Sequence, residues 1–387
     1  MQVPFLDLKA QYQSIREEVE EKLKEIFASQ QFILGEEGRQ FEEEMANYCQ
    51  AQFAIGVSSG TDALLVSMMA LELKPGEAVV TSPFTFIATA GAPARLGLKI
   101  VFVDIDPLSF NLNLDQLEEI VSREASREKL KAVIPVHLFG QMVEMGPLLE
   151  LAEKYELRVI EDAAQSIGAE YSWKGRLHRA GSGGDTGILS FFPSKNLGGA
   201  GDGGMVLTSN LNLREKIVFL RNQGAQQRYL HTLLGGNFRL DEIQAAVLRI
   251  KLKYLPEWIR IRQQKAENYG RLFREMGLIE GEFVTIPPAV HKPSGVENYH
   301  TYNQYVIRVK QRDELREFLL EKGIQTAIYY PIPLHLQPCF RYLGYQKGDF
   351  PQAERASAEV LALPIYPEIP ESHQEYVVAT IREFFLG

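Results

Sequence analysis

Ser190-Phe-Phe-Pro-Ser-Lys195-Asn-Leu-Gly-Gly199, running on through Ala-Gly-Asp-Gly-Gly204, is the stretch whose reading decides the fold. An apolar run over 187–192 reads as a strand and empties into a loop too rich in glycine to be a helix. A lysine there is poorly placed as a solvated surface group and well placed to reach a bound aldehyde. Upstream, Val159-Ile-Glu-Asp162-Ala-Ala-Gln165 ends a second apolar run with a carboxylate. An amine and a carboxylate at successive strand ends of an α/β chain suggest a pyridoxal phosphate site.

Working outward, short runs of Val, Ile and Leu alternate with helical patterns. Strands are predicted at 54–57, 78–81, 100–103, 132–136, 158–160, 187–192 and 205–208. Helices are predicted at 62–73, 85–96 and 145–155 between them, and at 38–49 before them. Continuous rather than alternating apolar strands predict a mainly parallel seven-stranded sheet covered on both faces. Residues 14–30 read as an amphipathic helix capped by Ser14, with Ile15, Val19, Leu23 and Ile26 on one face. After Leu240 the pattern changes. Helices at 241–252, 256–275 and 312–322 and strands at 302–309 and 325–330 predict a smaller α+β unit. The chain is thus expected to divide into a large cofactor-binding domain over 1–250 and a small domain over 251–387, with 291–296 as a mobile loop.

The bulk numbers exclude several classes. A chain of 387 residues is too long for one small core. A formal net charge of −9 argues against a surface that coats nucleic acid. Two cysteines, Cys49 and Cys339, lie far apart without CxxC spacing, which favours a reducing compartment and argues against a structural zinc site. The first residues lack a signal-peptide layout, and no apolar run approaches the roughly 20 residues that span a bilayer. A cytoplasmic protein with no metal and no membrane partner is expected.

Six blocks then occur in order: Ser59-Gly-Thr-Asp-Ala-Leu, Pro135-Val-His-Leu-Phe-Gly-Gln, Ile160-Glu-Asp-Ala-Ala-Gln-Ser, the Lys195 block, Gly236-Asn-Phe-Arg-Leu-Asp-Glu-Ile-Gln-Ala-Ala and Tyr330-Pro-Ile-Pro-Leu-His-Leu-Gln-Pro. Together they resemble the DegT/DnrJ/StrS family of pyridoxal phosphate-dependent sugar aminotransferases, from Phe5 to about residue 370. The resemblance implies fold type I, the aspartate aminotransferase-like architecture. It also implies that Lys195 tethers the cofactor and moves a proton, and that Asp162 pairs with the ring nitrogen. Gly60 and Thr61, before a helix predicted from Asp62, resemble a phosphate cradle. Ser190 matches a phosphate-binding hydroxyl, Phe86 an aromatic covering the ring, and Gln165 a neighbour of the ring substituents. Asn237 matches a residue reaching the phosphate in the neighbouring subunit, which implies a homodimer with shared sites. Arg239 follows on the same loop and suits the carboxylate of glutamate, the acidic part of a sugar nucleotide, or an ordinary interface ion pair. Tyr329, Tyr330 and His335 match the border of the sugar-nucleotide site. A histidine at the end of its strand, His137, reads as a satisfied core residue or a support behind the site.

The link over 171–185 is longer than is usual in the family. Ser166-Ile-Gly168 after Gln165 resembles members acting on UDP-linked 3-keto-N-acetyl sugars, with glutamate as donor and 2-oxoglutarate as product. A dTDP-3-keto-6-deoxyhexose or a 4-keto sugar is the alternative substrate. Lys195 argues against the dehydratases of this fold, which carry histidine there. The acidic charge, without a basic helix-turn-helix, argues against a regulator. A cofactor-binding scaffold without turnover stays open.

Overall fold

A computed structural model describes residues 1–123, 129–279 and 283–387. Seven strands form one sheet: β1 (Phe53–Val57), β2 (Ala78–Thr81), β3 (Lys99–Phe102), β4 (Leu130–Val133), β5 (Arg158–Asp162), β8 (Thr186–Ser190) and β9 (Gly204–Thr208). Their order is β1-β9-β8-β5-β4-β2-β3. The pairs β3–β2, β2–β4, β4–β5 and β5–β8 are parallel, and β9 runs antiparallel to both β8 and β1. Six strands therefore point one way, as the apolar runs predict.

Successive side chains leave a strand on opposite faces. In β8, Leu189 joins a core with Phe41, Met45, Phe191 and Leu248, whereas Ile188 joins one with Leu64, Val66, Ile160 and Val206. The helix Gly60–Ala70 is buried almost all round, which is why its sequence is apolar on every side. A third core gathers Val3, Tyr269, Phe273, Tyr305, Leu315, Leu361 and Ile381 around the antiparallel pair β12 (Tyr305–Arg308) and β13 (Val360–Leu363). Phe84, Phe102, Phe340, Phe350 and Val360 form a shared aromatic core that joins this unit to the sheet.

Several expected boundaries move for identifiable reasons. The first helix is Leu8–Ser29, capped by Asp7, whose carboxylate accepts from the N–H groups of Lys9 and Ala10. Ser14 is inside that helix and donates to the Gln11 carbonyl. The second helix is Glu36–Cys49, and its start is capped from afar: Glu242 accepts from the N–H groups of Gly35, Glu37 and Gly38. The helix expected from 85 spans Ala88–Arg95. The strand expected over 325–330 is not formed; only an isolated bridge links Ala327 to Ala362. Residues 291–296, expected as a mobile loop, hold a short 3-10 turn over Lys292–Ser294. His291 anchors it, buried and bonded to the Met142 carbonyl at 2.7 Å.

The long link folds into a hairpin, β6 (Glu170–Trp173) with β7 (Arg176–Arg179). Trp173 lies against Gly146, where a Cβ would fall 2.1 Å from the indole, so only glycine fits. Arg179 of the hairpin pairs with Glu170 and donates to the Tyr48 carbonyl. The hairpin thus clasps helices together instead of extending the rim around Lys195.

Candidate active site

The parallel strands β5 and β8 carry Asp162 and Ser190 to the same edge of the sheet, with Asp162 in register with Ile188. Beyond Ser190 the chain turns, Lys195 N–H bonding the Phe192 carbonyl at 2.9 Å. Lys195 is half-buried. Burial pushes its amine down to about 8, while the charge of Asp162 acts upward. Asp162 is 5% exposed, and burial raises its carboxyl against the pull of Thr89, the Ala164 N–H, Lys195 and His137. Each of the two groups feels the other's charge, which is what a ring bracketed between them requires.

The carboxylate is fixed in orientation. Its Oδ2 accepts from Thr89 Oγ1 at 2.7 Å, and its Oδ1 accepts from the Ala164 N–H at 3.2 Å. The preceding residue, Glu161, points away from Asp162 into the protein. It accepts from His137 Nε2 at 2.9 Å and from the N–H groups of Gly181, Gly183 and Gly184 at 2.9, 2.5 and 2.6 Å. His137 Nδ1 in turn accepts from the Val143 N–H at 3.1 Å, so its proton is on Nε2. The core reading of His137 fits this fully bonded position, and it anchors the strand end that presents Asp162.

The helix predicted from Asp62 begins at Gly60, with Ser59 as its cap. Ser59 Oγ accepts from the Asp62 N–H at 3.1 Å. The first-turn N–H groups of Gly60 and Thr61 have no preceding carbonyl within the helix to bond, and the helix dipole adds positive potential. Gly60 abuts Ser190: a Cβ on Gly60 would lie 2.9 Å from Ser190 Cβ and 3.3 Å from its Oγ. Gly204 is equally constrained, since a Cβ there would lie 2.3 Å from the Ser59 carbonyl carbon. These glycines let a helix start and two strand ends close into one cradle sized for a small anion.

Phe86, 54% exposed, lies on the segment after β2, and its ring stands 6.4 Å from that of Tyr330. Gln165 is buried, accepting from the Phe139 N–H and donating to the Tyr330 hydroxyl, both at 2.8 Å. Tyr329 packs on Phe5 and on Tyr330. His335 does not join this group. It is buried against Phe350, with Nε2 bonded to Glu354 at 3.1 Å. Asn237 is exposed, and Arg239 donates to Asn222 Oδ1 at 2.8 Å instead of reaching Lys195. Beside them a hairpin, β10 (Ala225–Gln227) with β11 (Leu230–His231), leads into bare apolar side chains, Tyr229 at 83% and Leu234 at 93% exposed.

Sequence reasoning missed Thr89 and Glu161. The spacing of Thr85 and Thr89, four residues apart with Thr85 between Phe84 and Phe86, was the available signal for the first. A second carboxylate directly before Asp162 was the signal for the other. Among the described residues, no cluster of side chains suits a metal ion, and no helix is long and apolar enough to cross a membrane.

The model of the DegT/DnrJ/EryC1/StrS aminotransferase family matches residues 13–382. The chain is 46% identical to a Geobacillus stearothermophilus protein named pleiotropic regulatory protein, over 100% of this chain and 99% of the relative. It is 39% identical to the UDP-N-acetyl-3-dehydro-alpha-D-glucosamine 3-aminotransferase of Acidithiobacillus ferrooxidans, over 100% and 98%. A crystal structure of S. venezuelae DesV in complex with a ketimine intermediate superposes with a TM-score of 0.91 at 36% identity, covering 99% of this chain and 98% of that one.

The residues present fit pyridoxal phosphate: an amine for its aldehyde, a carboxylate for its ring nitrogen, and a glycine-walled helix start for its phosphate. Fold, site and relatives agree that the chain belongs to the DegT/DnrJ/EryC1/StrS aminotransferase family and is a pyridoxal phosphate-dependent sugar aminotransferase.

Proposed function

We propose that the enzyme moves the amino group of L-glutamate to the C3 keto group of a UDP-2-acetamido-3-keto-hexose, releasing 2-oxoglutarate and a 3-amino sugar. The observation that carries the substrate is the 39% identity, along the whole chain, to the Acidithiobacillus enzyme named for that sugar class. Bound pyridoxal phosphate supplies an aldehyde and a ring that accepts the electrons left when a Cα–H bond breaks. Lys195 tethers the cofactor between turnovers and, once released, takes the α-proton of glutamate and later returns a proton to the sugar carbon. Its lowered basicity suits this work, because a neutral amine is accessible near neutral pH. Asp162 holds the proton of the ring nitrogen. Gly60, Thr61 and Ser190 hold the phosphate, Phe86 covers the ring, and Gln165 fixes the flank where Tyr330 meets it.

The sugar nucleotide then lies against Tyr329 and Tyr330. A second copy of the chain completes the site, Asn237 reaching the partner's phosphate and Arg239 the acidic part of a substrate. The exposed Tyr229, Leu230, Leu233 and Leu234 at the neighbouring hairpin support a homodimer, since a cluster of bare apolar side chains marks an interaction surface. The name of the Geobacillus relative supports a regulatory reading, against which the lysine–carboxylate pairing weighs.

The experiment is a panel of UDP- and dTDP-linked 3-keto and 4-keto sugars with glutamate, read by product mass and amine position. Turnover of the UDP-linked 3-keto sugar above the others is expected. Reaction of only a 4-keto sugar overturns the position of amination, and no turnover of any sugar favours the regulatory reading.

A further inference from the structure

We propose that Thr89 is a positioning residue for catalysis: through the buried chain Thr85–Thr89–Asp162 it keeps the Asp162 carboxylate anionic and aimed, so that the proton of the pair stays on the cofactor ring nitrogen. The inference rests on the role given above to Asp162 and goes beyond it by naming what sets that role.

Thr89 is 1% exposed and Thr85 2% exposed, so neither hydroxyl has water as an easy alternative. Thr89 has one hydroxyl hydrogen. An ionised carboxylate only accepts, so the 2.7 Å contact to Asp162 Oδ2 uses that hydrogen. Thr85 Oγ1, 3.4 Å from Thr89 Oγ1, must then be the donor in that contact. The chain has one direction, Thr85 to Thr89 to Asp162, and each donor polarises the next.

The second oxygen of Asp162 also faces a donor, the Ala164 N–H. With the carboxylate ionised, both of its protein partners donate to it. A proton placed on Asp162 Oδ2 would force the Thr89–Thr85 chain to reverse, Thr89 accepting and giving its hydrogen to Thr85, while the Ala164 N–H would still offer only a hydrogen to Oδ1. Burial favours the neutral acid at this position, and two aimed donors oppose it. Their geometry leaves the free lone pairs of both oxygens to the ring nitrogen and holds the carboxylate from rotating. A serine keeps the hydroxyl. A valine keeps the shape and loses the donor.

The test reconstitutes wild type, Thr89→Val, Thr89→Ser and Asp162→Asn with pyridoxal phosphate labelled with ¹⁵N in the ring, and reads the nitrogen shift together with the glutamate half-reaction. Wild type and Thr89→Ser are expected to show a protonated ring nitrogen. In Thr89→Val the shift moves towards unprotonated pyridine, and the half-reaction slows by about 10- to 100-fold, the weight of one hydrogen bond to a charged group. The KM for glutamate changes little, because the lost donor does not touch it. A Thr89→Val protein that binds cofactor with the wild-type nitrogen shift and half-reaction rate overturns the proposal, as does a Thr89→Ser protein that resembles the valine variant. An unprotonated ring nitrogen in wild type, or no change in Asp162→Asn, would instead overturn the role of Asp162 itself.

Discussion

Replacing Glu161 with glutamine keeps the shape of the side chain but exchanges one carboxylate oxygen for an NH2 group and removes the charge, and the structure fixes what that costs. The carboxylate receives four donors: Oε2 accepts from His137 Nε2 and Gly181 N–H, Oε1 from Gly183 and Gly184 N–H. A glutamine has one oxygen and one NH2 group. Whichever way its amide turns, the NH2 faces two N–H donors, which are left unpaired in a fully buried site. A change of His137 tautomer does not repair this, because Nδ1–H would then face the Val143 N–H. Two unsatisfied buried donors at ~1–3 kcal/mol each give a loss of about 2–6 kcal/mol.

The assay is denaturant unfolding of the holoenzyme, followed by cofactor absorbance and tryptophan fluorescence. Glu43→Gln, on an exposed ion pair with Arg39, serves as the control and should leave the midpoint unmoved. The pH dependence adds a second check. Burial raises the Glu161 carboxyl, but His137 and the glycine N–H groups outweigh it and hold the group below its ordinary value. A depressed carboxyl contributes stability above its unfolded pKa and loses it as pH falls through the folded value. The gap between wild type and Glu161→Gln should therefore narrow on acidification. An unchanged midpoint at neutral pH, or a gap that widens as pH falls, refutes the reasoning.

Other outcomes follow from the same geometry. Borohydride should fix the cofactor on Lys195, and Lys195→Ala should lower the glutamate half-reaction by roughly 10²–10⁴-fold; label on another lysine, or a retained rate, contradicts the assignment. In cofactor-free protein the Lys195 amine, pushed down to about 8, should acylate with a half-point near that pH, not near that of a free lysine; a peptide-mapped titration reads it. Gly60→Ala places a methyl 2.9 Å from Ser190 Cβ, and equilibrium dialysis should show cofactor affinity reduced by about tenfold or more with the fold intact. Leu234→Asp combined with Tyr229→Ser should shift the protein towards monomer in sedimentation and lower specific activity; an unaffected dimer removes the hairpin from the interface.

What was legible in the sequence was whatever short-range pattern controls. The parallel strands showed as unbroken apolar runs because both faces of the sheet are covered. Lys195 and Asp162 showed because a charged residue ending such a run is conspicuous. The start of the second helix, at Glu36 and not 38, was hidden because its cap is distant in sequence: Glu242 lies more than 200 residues later. Asp7 outcompeted Ser14 because only Asp7 precedes the first helical residue. The 325–330 run looked like a strand, but it meets the free edge of β13 only at Ala327, opposite Ala362, and so makes a single bridge instead of a ladder. His335 was placed at the sugar-nucleotide border by its match to the family segment, and no short-range pattern shows that its ring packs on Phe350 and bonds Glu354.

The convergence of the site follows from one topological fact. β1 and β8 are parallel to each other because each is antiparallel to β9, which lies between them. The C-terminal ends of β1, β2, β5 and β8 therefore lie on one edge of the sheet. Val57 leads there into Ser59 and Gly60, Thr81 into Phe86, and β5 into Asp162, while Ser190 runs on towards Lys195. Ligands in open α/β sheets gather at that edge because helix starts and side chains from successive strands meet there. The reversal into β9 is what the glycine run over 198–204 permits: a Cβ on Gly198 would lie 2.2 Å from the Pro193 carbonyl oxygen, so the loop can double back only without side chains. Were β9 parallel instead, the chain after Lys195 would have to cross to the opposite edge, and the lysine would sit at the start of a crossover instead of in a turn tied to the strand end. The glycines that first marked Lys195 as unusual are thus the ones that keep its amine beside Asp162.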